Sequence, residues 1–189
     1  RGYAFSYRGV AREYHHSTGA KFVDPVTELN KRAPAAPAVE SGVSSDIEVI
    51  VDDNNPIHGV TGCDRYVARA IHGFDPTNHT PNWMRRRLIR AGMRSISLAV
   101  DVTNYVMLDL GQPMHAYDLD KIEGPIVVRR AAEGEKLTTL DGKEHDLSVE
   151  DLLITDSPDG KRGSRILGIA GVMGGLYGEV TADTKNILL

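Results

Sequence analysis

A single cysteine, Cys63, stands in a chain of 189 residues. No internal disulfide framework can form, and the chain suits a reducing compartment. No run approaches the ~20 apolar residues that a membrane-spanning helix needs. The opening RGYAFSYRG has neither the apolar centre of a signal peptide nor an initiator Met. The sequence therefore reads as a cytoplasmic segment without a membrane span, and both ends, the second in NILL, read as cuts within something longer. Excess positive charge is missing too. Against 26 acidic residues there are 22 basic ones, a net charge of −4, which removes the general electrostatic case for a nucleic-acid binder and leaves only local RNA contact. The seven histidines form no HExxH pattern.

What remains is ordinary enough to fold. Hydrophobic residues at 41% and charged residues at 25% match a globular protein with a buried core rather than a disordered chain. Ser6 to Gly19 reads as a helix, with Ser6 as cap, Val10 and Tyr14 one turn apart and Gly19 as stop. Residues 31–46, KRAPAAPAVESGVSSD, offer little to bury and read as a linker. IEVIVDD and CDRYVARAIHG have strand composition. In TPNWMRRRLIRAG, Thr80 as cap, Pro81 in the first turn and Gly92 as stop delimit a helix with Met84, Leu88 and Ala91 as its apolar stripe. Arg87, Arg90 and Arg94 follow another line at helical spacing, either holding phosphates or forming a solvated face. Asp101 to Gly111 is a further helix, with Val102, Val106 and Leu110 on one side.

From there the texture turns to strands: IVVRRA, KLTTL, DLLITD, ILGIA and NILL, with Asp141-Gly142 as a hairpin signal. Helices first and clustered strands afterwards predict an α+β fold whose β-rich half forms a mixed or antiparallel sheet that can close into a barrel.

Chemistry-bearing residues each have a bland alternative. GIAGVMGG matches neither GxGxxG nor a phosphate loop ending in GK[ST], so it is a tight structural turn or a backbone-lined pocket. His115, Asp118 and Asp120 lack a second His or Cys for zinc, which favours a hydrogen-bonded histidine in a loop. Thr103 and Asn104 interrupt an apolar helix, as back-bonding groups or as the wall of a polar cavity. Trp83 and Tyr105 are candidates for base stacking or for core packing.

The words VDVTNYVML, QPMHAYDLD, LTTLDG and GIAGVMGG, followed by EVTADTKNILL, resemble the central editing module of the β subunit of bacterial phenylalanyl-tRNA synthetase in order and spacing. YRGVARE and the TG after it resemble the tail of the small helical region preceding that module. The resemblance implies three parts: that tail over residues 1–30, the linker, and an editing module over 47–189 cut short at its carboxyl end.

An apolar pocket rejects an added hydroxyl by only about 10²-fold, so a site that hydrolyses tyrosine wrongly esterified to phenylalanine tRNA restores discrimination. By the resemblance, Asn104 and His115 fall on catalytic positions, Thr103, Gly171 and Gly174 line the pocket, and Arg87, Arg90 and Arg94 are RNA contacts. The resemblance also implies that water attacks the ester with help from the terminal ribose hydroxyl, with no metal or nucleophilic side chain required. The implied parent is a ligase using ATP and Mg²⁺, with phenylalanine tRNA and an α subunit as partners in an α2β2 assembly; the fragment itself needs no cofactor. The family's tyrosine-reading glutamate follows the ILL segment, where this sequence stops, so the isolated chain is expected to be impaired. The alternative is a noncatalytic RNA-positioning or subunit-interface piece of the same fold.

Overall fold

The computed structural model describes residues 4–32, 47–53 and 59–189. The chain forms two compact units, each built from two stretches of sequence. One comprises Arg1–Val39 and Thr77–His115, the other Glu40–Pro76 and Ala116–Leu189.

The first unit is helical. Helix α1 (Tyr7–Thr18) starts where the Ser6 hydroxyl accepts the Gly9 amide at 2.9 Å and stops at Gly19, whose φ of 74° is left-handed. Its expected apolar line faces solvent, since Val10 and Tyr14 are exposed and Gly9 is the buried position. Helix α2 (Pro25–Arg32) follows Asp24, which accepts the Val26 amide at 3.0 Å and a bidentate contact from Arg8 at 2.7 and 2.8 Å. That guanidinium holds the Asp24 carboxyl down at about 2. The expected linker thus begins inside α2 at Lys31 and Arg32, and residues 33–46 lie outside the described residues.

Helix α3 (Asn82–Arg90) buries Met84 and Leu88, whereas Ala91 is its exposed carboxyl cap. Thr80 does not cap it. Pro81 holds that position, and the Thr80 hydroxyl is committed to Asp101 at 2.6 Å. Helix α4 (Leu98–Leu110) starts at Ser97, earlier than the sequence suggests, and ends on Gly111 in the left-handed region. Its fully buried positions are Ala99, Asp101 and Thr103, while Val102, Val106 and Leu110 are half-buried.

Among the described residues the second unit carries ten strands: β1 (Val49–Asp52), β2 (Ala70–Ile71), β3 (Tyr117–Asp118), β4 (Ile126–Arg130), β5 (Lys136–Thr138), β6 (Glu144–Asp146), β7 (Leu152–Asp156), β8 (Arg165–Ile169), β9 (Met173–Gly174) and β10 (Ile187–Leu188). A five-stranded mixed sheet runs β1-β4-β7-β8-β9, with β1 parallel to β4 and the remaining pairs antiparallel. A three-stranded sheet β2-β10-β3 and a hairpin β5-β6 are also present, and among the described residues no barrel closes. Of CDRYVARAIHG only Ala70 and Ile71 are strand, because only they meet β10.

Both faces of the large sheet are covered. Ile154 and Leu167 pack with Ile126 and Tyr117, whereas the alternate residues Leu153 and Ile166 pack with Leu137 and Leu147. Burial on both sides explains why IVV and LLI are continuous apolar runs. Two buried carboxylates clip the sheet: Asp53 takes Arg130 at 2.8 Å, and Asp156 takes Arg165 at 2.9 Å. The β5-β6 hairpin turns at Asp141-Gly142 as expected, with positive φ at Gly142 alone.

Candidate functional site

The candidate residues divide between the units. Thr103, Asn104 and His115 belong to the helical unit, Gly171 and Gly174 to the β unit.

In the helical unit everything hangs on the start of α4. Asp101 is fully buried and accepts three hydrogen bonds, from the Thr80 hydroxyl at 2.6 Å, the Ser95 hydroxyl, and the Ile96 amide at 2.9 Å. A carboxylate in a helix's first turn is also favoured by the helix dipole. The residue ties the α3–α4 connection to α4 and so fixes the rotation of the turn that carries Thr103 and Asn104. Sequence reasoning passed over Asp101. Its signal was Ser95 and Ser97 just ahead of a helical acid.

Thr103 follows the bland reading, since its hydroxyl donates back to the Val100 carbonyl at 2.8 Å and the side chain is buried. Asn104 differs: it is half-buried, and its carboxamide makes no hydrogen bond among the described residues. An amide has two donors and an acceptor with two lone pairs, so Asn104 keeps its full capacity for a ligand. His115 lies in the loop after α4, and burial pushes its imidazole below the usual range, favouring the neutral ring at pH 7. A neutral imidazole both donates and accepts, which suits orientation of a hydroxyl or ester.

The three arginines do not form one line. Helix α3 ends at Arg90, so Arg94 stands in the following connection. Arg87 is drawn aside: its guanidinium donates to the Tyr105 hydroxyl at 2.6 Å and lies 5.5 Å from the Trp83 ring centre. Trp83 and Tyr105 meet edge to face with centroids 5.2 Å apart. These aromatics therefore pack on each other and on Arg87, although Trp83 remains half exposed. Arg87, Tyr105, Tyr7 and Asp109 line a recess of about 370 Å³.

In the β unit the glycine-rich segment is the β8-β9 hairpin. The Val172 amide donates to the Ile169 carbonyl at 3.1 Å across the turn, and Gly171 holds a φ of 70° that a side chain would strain. A Cβ on Gly175 would stand 2.9 Å from both Leu137 Cδ1 and the Leu167 carbonyl oxygen. Gly174 pairs with Gly168 across the hairpin. The run is thus a close-packed turn, with open space over Gly171 where a ligand could approach. A surface recess of about 660 Å³, lined by Glu135, Lys136, Thr138, Arg165 and Tyr177 among others, has neither Gly171 nor Gly174 on its wall.

Asp118 and Asp120 are committed to protein donors, Asp118 to the Thr184 hydroxyl at 2.8 Å and Asp120 to the Asn186 amide at 2.9 Å. Among the described residues no three His, Cys, Asp or Glu side chains gather to hold a metal ion, and no helix is long and apolar enough to cross a membrane.

A sequence model of the B3/4 domain matches residues 62–189, more than half of the chain. The chain belongs to the B3/4 domain family. Its whole length is similar to a segment of the phenylalanine–tRNA ligase β subunit, 80% identical in Bifidobacterium longum, 50% in Leifsonia xyli and 41% in Vibrio parahaemolyticus. The chain spans about a fifth of the length of those relatives, 22% of the first and 21% of the others. Among solved structures, an N-terminal fragment of the phenylalanyl-tRNA synthetase β subunit from Pyrococcus horikoshii superposes with a TM-score of 0.52 at 20% identity, covering 77% of this chain and 42% of that one. At that identity the likeness concerns the fold alone.

Proposed function

We propose that this B3/4 domain is the post-transfer editing part of a phenylalanine–tRNA ligase β subunit, and that it hydrolyses tyrosine from mischarged phenylalanine tRNA. The observation that carries this reading is Asn104, a half-buried carboxamide with its hydrogen-bonding capacity unspent on the turn that Asp101 fixes. The Asn104 amide atoms are reached by solvent, so a ligand can replace water on them without first breaking a hydrogen bond within the protein.

In this reading Asn104 holds the esterified amino acid or the terminal ribose by hydrogen bonds, and the neutral ring of His115 orients the ester and the attacking water. Gly171 and Gly174, on the other unit, are proposed as pocket glycines from the family resemblance alone. Thr103 stiffens the turn through its bond to Val100. The water adds to the ester carbonyl, the ribose oxygen leaves with a proton, and free tyrosine and uncharged tRNA result. A pocket that hydrogen-bonds the tyrosine hydroxyl rejects phenylalanine strongly, because its buried polar groups would otherwise lose their partner.

ATP and Mg²⁺ activate the amino acid in the whole ligase. No residue of this chain is proposed to hold them. An α subunit in an α2β2 assembly is the expected partner of the parent, and the cytoplasm its expected location.

The test uses Asn104→Ala and His115→Ala in the full-length protein within its complex. Each variant is expected to slow deacylation of tyrosyl-tRNA by at least tenfold while phenylalanine activation stays unchanged. Unchanged deacylation in both would overturn the reading in favour of a noncatalytic role.

A further inference from the structure

Positive charge in this acidic chain is concentrated. Between Asn82 and Arg94 the sequence NWMRRRLIRAGMR holds five arginines and no acid, although the chain as a whole has a net charge of −4. Helix α3 sorts them. Met84 and Leu88 take the buried side, and the opposite side carries Trp83, Arg86, Arg87 and Arg90 at the i, i+3, i+4 and i+7 spacing of one stripe. Arg85 and Ile89 flank it, and all six of these side chains are exposed.

None of the five arginines is paired with an acid among the described residues. Among the described residues the side chains of Arg85, Arg86, Arg90 and Arg94 make no hydrogen bond and no ion pair. Elsewhere among the described residues Arg8, Arg12, Arg129, Arg130, Arg162 and Arg165 are each paired with a carboxylate, while Arg32, Arg65 and Arg69 stand singly without one, so what sets the Asn82 to Arg94 stretch apart is five arginines within 13 positions. Like charges so close repel one another, so the cluster lacks an intramolecular rationale. Arg87 is different again: Trp83 and Tyr105 hold its guanidinium in place while only one of its five donors is spent, on the Tyr105 hydroxyl. A fixed guanidinium loses little entropy on binding and matches phosphate geometry.

We infer that the exposed face of α3 docks the sugar-phosphate backbone of the RNA substrate, with Arg86 and Arg90 as its centre and Arg87 as a pre-set fork. This deepens the editing reading and rests on it for the identity of the RNA. An acidic protein surface would supply charge as well, but the half-exposed Trp83 among the arginines favours RNA, whose riboses and bases also present flat faces.

The test measures binding of unacylated phenylalanine tRNA to the full-length protein across a range of salt. Arg86→Ala/Arg90→Ala is expected to weaken binding and to reduce the slope of log K against log salt by about 1 per arginine lost. Arg86→Lys/Arg90→Lys is expected to keep most of that slope. Lys161→Ala/Lys185→Ala, an equal charge change on exposed positions of the β unit, should leave it unaltered. An unchanged slope in the double alanine variant overturns the inference. So does an equal fall in the control pair, or efficient competition by polyglutamate in place of RNA. Because the RNA carries no amino acid, these results are independent of deacylation: failure of the His115 and Asn104 variants would strike the editing reading and leave this slope as it is.

Discussion

Removing the Asp101 carboxylate tests whether one buried acid holds the helical unit's candidate residues in place. Three donors converge on it, and hydrogen bonds to a charged group contribute about 1.5–3 kcal/mol each. In Asp101→Ala all three are lost at once, leaving two hydroxyls and an amide to find new partners. Allowing for the poor additivity of bonds in one network, the cost is about 4 kcal/mol. Asp101→Asn keeps the shape. Its carbonyl oxygen can still accept the Ile96 amide, and both hydroxyls can rotate to accept from its NH₂ group, so neutral bonds replace charged ones at a cost of about 2 kcal/mol.

The chain supplies its own reporter. Trp83 is the single tryptophan, and it packs edge to face on Tyr105 of α4, so its fluorescence follows the α3–α4 pairing. Urea titrations are expected to move the midpoint down by about 2 M for Ala and about 1 M for Asn, at a slope of roughly 2 kcal/mol per M. Shifts below about 0.5 M in both variants, or a larger loss for Asn than for Ala, would refute the assignment of Asp101 as the unit's anchor.

Other expectations concern the β unit. Gly175→Ala drives a Cβ to 2.9 Å from the Leu167 carbonyl oxygen and from Leu137 Cδ1 and is expected to destabilise by about 1–3 kcal/mol. Gly171→Ala meets nothing within 4 Å and should cost only its left-handed backbone strain, about 1 kcal/mol. Thermal denaturation distinguishes the two, and equal losses would contradict the packing account. Burial pushes the Tyr66 phenol up from 10.0 to about 12, beside the hydrogen-bonded and more deeply buried Tyr117. The folded state thus prefers the neutral phenol: its contribution is fully present below pH 10 and is lost between pH 10 and about 12. At about 1.4 kcal/mol per pH unit the loss amounts to about 3 kcal/mol. Urea midpoints by circular dichroism should fall steeply over that window in the parent and less in Tyr66→Phe, and parallel falls would exclude Tyr66 as the cause.

Local chemistry was legible in the sequence and distant chemistry was not. Ser6, Gly19 and Gly111 end helices through bonds within a few residues, and the sequence places them correctly. Thr80 had the right side chain for a cap, yet Asp101, 21 positions further on, claims its hydroxyl. Strand β6 escaped notice because Glu144, His145 and Asp146 are all exposed, and only their pairing with β5 makes them a strand. Strands β3 and β9 have two residues each, too few to show a period. At the candidate site the glycine turn could be read from spacing. The displacement of Arg87 onto two aromatic rings could not, because Tyr105 reaches it from another helix.

The parallel pairing of β1 with β4 has a consequence for the chain during synthesis. Asp53 and its partner Arg130 lie 77 positions apart, so at roughly 5–20 residues per second about 4–15 s pass before the arginine emerges. Throughout that interval IEVIVDD is an apolar strand without a neighbour, the kind of segment that recruits other chains. Glu48, Asp52 and Asp53 place negative charge at both of its ends and oppose such encounters. When the later strands arrive, Asp53 closes on Arg130 and Asp52 on Arg162. The residues that keep the waiting strand apart from its neighbours are thus two of those that clasp it into the finished sheet.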